Sequence, residues 1–174
     1  MSSTLRPDNL KAALHAKLAA AQGQLMALHE AEQPCLTPHL SPRQIVISFM
    51  GYAGGVYAIA DAFGRAEVGE LQFNAWYEQW MRALNNVDRA LVQQVRHHAA
   101  HHGQADATPL VEVEISVDPD PSVTVPNLRH GVRKQLARFA TQPERPASDV
   151  CEEYLRVTKQ FAGDFVRDHD RFLK

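Results

Sequence analysis

Over most of this chain, apolar side chains recur every three or four residues, the period that lays them along one face of an α-helix. Leu10, Leu14, Leu18, Ala21, Leu25 and Leu28 make the first stripe, in an alanine-rich segment from about Pro7 to Glu32, and Pro34 and Pro38 break it. The second segment opens with Ser41-Pro42-Arg43-Gln44. This reads as an N-cap, a proline at the first helical position and a glutamine three residues after the cap. Its apolar face is Ile45, Phe49, Ala53, Val56, Ala60 and Phe63. Gly51, Gly54 and Gly55 lie inside it, each costing about 1 kcal/mol relative to alanine. Such a cost is offset by close approach, so Gly51, Gly55 and Ala62 are expected to face a second, tightly packed helix. The third stripe is Phe73, Tyr77, Trp80, Leu84, Val87, Leu91 and Val95, continuing through His98 and His102. It predicts the longest helix, from near Leu71 or Phe73 to His102, closed by Gly103. Trp76 and Trp80, in its first turns, read as core.

The period then changes. Val111, Val113, Ile115 and Val117 alternate with Glu112, Glu114 and Ser116, as in a strand. Asp118-Pro119-Asp120-Pro121 turns the chain, and Ser122 to Val125 is expected to return antiparallel. A fourth helix is predicted from Pro126 or Asn127 to about Thr141. A fifth opens with Asp149 and Glu152 as a capping box and runs through Val150, Tyr154, Val157, Phe161 and Phe165. The expected fold is therefore all-α: one domain over residues 1–174, a bundle of about five helices with one small β-hairpin inserted between helices three and four.

The 174 residues carry a net charge of −2, so any contact with nucleic acid must come from a local patch. Cys35 and Cys151 fit no paired metal spacing and make no disulfide scaffold, which points to a reducing compartment. No apolar run approaches the roughly 20 residues of a membrane span, and the amino terminus has no apolar signal core. A cytoplasmic location without a membrane partner is expected. No cofactor is expected either, since Gly54-Gly55 lacks the strand-turn-helix context of a phosphate loop. His15, His29, His39 and His169 read as scattered surface residues, and both cysteines as small buried groups.

Four of the nine histidines fall in Arg96-His97-His98-Ala99-Ala100-His101-His102-Gly103. Spacing alone allows two chemistries. His97/His101 and His98/His102 are i,i+4 pairs, able to bring two imidazoles to one metal ion, although no glutamate stands beside them as on a zinc-protease helix. Alternatively, Arg96 and His101 supply the two parts of metal-free RNA cleavage. A histidine exchanges a proton with a ribose 2′-hydroxyl or the leaving oxygen, and a guanidinium holds the phosphate as charge builds on it. A third reading is a plain hydrogen-bonded and solvated helix end.

An arginine, a polar residue, three further residues and a histidine, near the end of a long helix in a small helical protein, resembles the HEPN superfamily. Here the motif is Arg96-His97-His98-Ala99-Ala100-His101, and the preceding Phe73-Asn74-Ala75-Trp76-Tyr77 is also similar to HEPN-like bacterial proteins. The resemblance covers roughly Ser41 to Gly103 plus the closing helix. It implies a bundle that dimerises with two motifs facing each other, and metal-independent endoribonuclease activity in toxin–antitoxin or defence systems. Other members are inactive binding modules. Carried onto this chain, Arg96 would position the phosphate, His101 would be the general acid or base, and His97 would fill the polar second position. Residues five apart lie about 140° around an ideal helix. Arg96 and His101 would therefore share a cleft only through a distorted helix end or a second subunit.

A basic stretch, Arg129, Arg133, Lys134 and Arg138 with His130 beside it, reads as i,i+4 pairs on the fourth helix. Its counter-charge would be RNA phosphate or the acidic hairpin. The expected function is a HEPN-like ribonuclease acting on RNA as a homodimer, with a cognate protein partner or antitoxin. The alternatives are a non-catalytic helical dimer serving protein interaction, and a metal protein built on His97, His98, His101 and His102.

Overall fold

The computed structural model describes residues 7–33, 41–100, 110–117 and 132–172. Helix α1 spans Pro7–Ala31 and α2 spans Pro42–Phe63. α2 runs directly into a π-helical turn, Gly64–Gly69, which leads to α3, Glu70–Ala83. α4 spans Asn86–Ala100, strand β1 Leu110–Val117, strand β2 Val132–Phe139 and α5 Ala147–His169. A single 3₁₀ turn, Asp170–Phe172, follows α5. The class is all-α with one antiparallel β pair, as the periodicity required.

The first two stripes fold as their spacing dictates. Leu10, Leu14, Ala21, Leu25 and Leu28 are buried on α1, and Ile45, Phe49, Ala53, Val56, Ala60 and Phe63 on α2. Ser41 caps α2 by accepting from the Gln44 amide at 3.4 Å. Glu112 of β1 adds an anion there, accepting from the Ser41 hydroxyl and from the Arg43 amide at 3.2 Å. That carboxylate at a helix N-terminus ties the β pair to the bundle. At Gly55 the close neighbour is the aliphatic stem of Lys17 on α1. An added Cβ would lie 3.3 Å from Lys17 Cδ, and the Lys17 ammonium reaches over the Tyr52 ring.

The third expected helix is two helices. Leu84 is extended (φ −73°, ψ 147°), and Asn85 starts α4, its Oδ1 accepting from the Asp88 amide at 2.8 Å while its Nδ2 donates to Asp88 Oδ2 at 3.1 Å. Arg89 closes the end of α3: Nε donates to the Met81 carbonyl at 3.0 Å, and Nη2 to those of Arg82 and Leu84 at 3.3 and 3.1 Å. The break resets the helical phase. Val87, placed on the apolar face by the long-helix reading, is 66% exposed, while Leu91, Val92 and Val95 are buried. With the extra helix counted, the β pair falls between α4 and α5 in chain order.

The fourth expected helix is replaced by strand β2 over its described part. β2 pairs antiparallel with β1, from Leu110 opposite Phe139 to Val117 opposite Val132. The expected return strand at Ser122–Val125 lies outside the described residues. The misreading has a simple cause: a spacing of four is also an even number, so Lys134 and Arg138 share a side of a strand as readily as a face of a helix. Ala137 and Phe139 enter the core, Phe139 meeting the Tyr154 ring edge-on at 5.7 Å, and Leu136 on the other side of β2 is buried too.

α5 starts after Pro146, with no side-chain cap at that residue, so the expected capping box is absent. Glu32, just past α1, serves instead: its Oε2 accepts from the Ser148 hydroxyl at 2.5 Å. Burial pushes the Glu32 carboxyl above its usual range, opposed by the Ser148 hydrogen bonds. Cys151 beside it is fully buried, and burial pushes its thiol well up, which leaves no ready nucleophile there. Cys35 lies outside the described residues. α3 and α5 are joined by matched pairs. Trp76 Nε1 donates to Asp168 at 3.0 Å, Trp80 Nε1 to Asp164 at 2.8 Å, and Arg167 donates to both carboxylates. His169 is 4% exposed rather than a surface residue, because the end of α5 packs it edge-on against Trp76 and tilted against Phe165. Taken as one helix across the π turn, Pro42–Ala83 is long and apolar enough to cross a membrane by composition, yet half of its apolar window is buried in the bundle.

Candidate functional site

Arg96 stands in the last turns of α4, and its guanidinium turns into the bundle. Nη2 donates to Asp61 Oδ2 on α2 at 2.5 Å, and the guanidinium carbon lies 4.4 Å from the centre of the Tyr77 ring on α3. The three residues come from three helices, so the arrangement depends on α2, α3 and α4 meeting at this end of the bundle. The α3/α4 break makes that meeting compatible with the chain, because an unbroken helix would carry residues 77 and 96 along one straight rod. Both partners are about three-quarters buried, with 28% and 25% of the Arg96 and Asp61 side chains exposed.

The electrostatics follow from that burial. Loss of water pushes the Asp61 carboxyl above its usual range, and the Arg96 and Arg65 charges oppose the shift. Asp61 Oδ1 is buried without a hydrogen-bond partner among the described residues, so the pair meets through one carboxylate oxygen only. Burial likewise raises the Tyr77 hydroxyl, with Arg96 acting against it. Below lies a polar ladder. Tyr57 Oη is 3.4 Å from Thr158 Oγ1, which donates to the Tyr154 carbonyl at 2.7 Å, and Tyr154 Oη donates to Gln94 at 2.6 Å. Burial raises both tyrosine hydroxyls strongly, which keeps them neutral.

His97 follows Arg96 and is exposed. His98 belongs to α4, but its side chain lies outside the described residues, as do His101 and His102 entirely. Arg96 is therefore placed, whereas His101, the acid–base residue expected from the sequence, lies outside the described residues. No group of three or more His, Cys, Asp or Glu able to hold a metal occurs among the described residues.

Of the expected phosphate-binding set, Arg129 lies outside the described residues, and so does the side chain of Arg133. Lys134 and Arg138 sit on β2, opposite Ile115 and Val111. Glu112 and Glu114 oppose Ala137 and Gln135, on the other side of the pair. Lys134 and Arg138 thus stand on the opposite side of the pair from Glu112 and Glu114. Arg138 is engaged locally: Nη1 donates to the Pro143 carbonyl at 2.7 Å, and Nε is buried without a partner among the described residues.

Sequence reasoning missed Asp61 and Tyr77. An aspartate at the end of an apolar helix was the available signal, since a charge there needs a partner. Comparison with protein-family models, curated proteins and solved structures gives no match to this chain.

Proposed function

We propose that this protein is a HEPN-like, metal-independent endoribonuclease working as a cytoplasmic homodimer in a toxin or defence role. The observation that carries the reading is Arg96: its guanidinium is held over the Tyr77 ring and at one nitrogen by Asp61, yet stays partly exposed. A guanidinium so fixed loses little freedom on meeting a phosphate. In this reading His101 is the general acid or base. As base it takes the ribose 2′-hydroxyl proton while the 2′-oxygen attacks phosphorus, and the bond to the 5′-oxygen breaks with its proton supplied by water. Arg96 stabilises the charged transition state. The products carry 2′,3′-cyclic phosphate and 5′-hydroxyl ends.

The test is cleavage of single-stranded RNA in EDTA. Cyclic-phosphate products are expected from the wild type, with loss of at least about 100-fold in Arg96→Ala and His101→Ala while the fold is retained. Full activity in both variants would sink the proposal. One observation favours a second reading, a non-catalytic helical interaction module: Asp61 neutralises the Arg96 charge. That reading requires no cleavage at any protein concentration and a stable complex with a protein partner.

A further inference from the structure

Resting on the nuclease reading, we propose that Asp61 is the built-in counter-anion of Arg96: it occupies the guanidinium while the site is empty, and an RNA phosphodiester engages Arg96 only in competition with it. The contact has the form of a placeholder. Fork-to-fork arginine–carboxylate pairs use both oxygens and saturate one edge of the guanidinium. Here a single Nη2–Oδ2 contact of 2.5 Å is made, and Oδ1 stays buried without a partner among the described residues. Nor does another cation share the task fully, since the nearby Arg65 is itself bonded to Glu70 at 2.5 Å. Tyr77 holds the guanidinium by its face, 4.4 Å from the ring centre, a contact that survives a change of anion.

The consequence is a threshold for binding. A neutral Arg96–Asp61 pair attracts a phosphate monoanion weakly, and the phosphate must also approach a retained carboxylate in a partly dry site, where like charges repel far more than in water. Asparagine at position 61 keeps an oxygen acceptor for Nη2 and removes the charge, so the arginine stays in place and the competition ends.

The experiment measures binding of a fluorescent, uncleavable 2′-O-methyl oligoribonucleotide by anisotropy at low salt. It compares wild type, Asp61→Asn, Arg96→Ala and the double variant, with thermal melts reporting folding. Asp61→Asn is expected to tighten binding about tenfold, the scale of 1.4 kcal/mol. The gain should vanish in the Arg96→Ala background, and in cleavage assays it should appear as a lower KM. Should the asparagine variant not fold, Asp61→Ser removes the same charge and carries the same expectation. If Asp61→Asn binds no tighter while Arg96→Ala loses binding, the competition idea is overturned and the nuclease reading stands. If Arg96→Ala binds like the wild type, Arg96 holds no phosphate, and the nuclease reading falls with the inference.

Discussion

Replacing Gly64 with alanine is expected to destabilise the fold, although the same change in a helix ordinarily stabilises. Gly64 opens the π turn, and a Cβ there would lie 2.2, 2.5 and 2.6 Å from three atoms of the Phe73 ring. Carbon atoms prefer about 3.5–4.0 Å, so the ring must move by more than 1 Å. It has nowhere to go: Phe73 is 2% exposed and packs against Trp76, Tyr77 and Phe165. Overpacking of this kind costs up to about 3 kcal/mol, and the gain in helix propensity returns about 1 kcal/mol. The net loss is therefore about 2 kcal/mol, a fall in Tm of roughly 4–8 °C for a chain of this size. Gly163→Ala on α5 is the control. Its Cβ would meet nothing within 4 Å, so a gain of about 0.5–1 kcal/mol is expected. Urea and thermal melts of both variants read the contrast, and a Phe73→Leu background should erase most of the Gly64→Ala cost. Equal stability of wild type and Gly64→Ala would show that the helical junction is not held by this contact.

Arg89→Ala should cost about 1.5–3 kcal/mol, because a charged donor serving three carbonyls at the end of α3 is removed. A chemical-denaturation difference below about 0.5 kcal/mol would contradict that role. Glu32 gives a pH prediction whose sign follows from burial, which raises its folded pKa above the ordinary 4.5. The native state then holds this proton more tightly than the unfolded chain, so stability is lost as pH climbs from about 4.5 through the raised value. Glu32→Gln is accordingly expected to be more stable than wild type at neutral pH and to match it below about pH 4.5, checked by melts across that range.

The helical class, the extents of α1 and α2, the Ser41 cap and the start of a strand near Leu110 are written in local patterns, and each needs only the residues that compose it. The α3/α4 break was also legible, in Asn85-Asn86-Val87-Asp88, a cap followed three residues later by an acid; the continuous aromatic and aliphatic stripe on either side outweighed it. The nature of β2 was not legible, because a four-residue spacing of basic residues satisfies both periods and only its pairing with β1 separates them. The candidate site divides the same way. Sequence singled out Arg96 by its neighbours in the chain, whereas Asp61 lies 35 positions away and Tyr77 on another helix. A buried charge finds its partner through space, and that partner is fixed only when packing of the core brings three helix surfaces together and excludes the water that would otherwise have served. Sequence thus determined that α1, α2 and α5 coil and which face of each seeks burial. Tertiary structure decided what Arg96 touches, since the strength and identity of that contact depend on distance and local dielectric, neither of which a linear pattern contains.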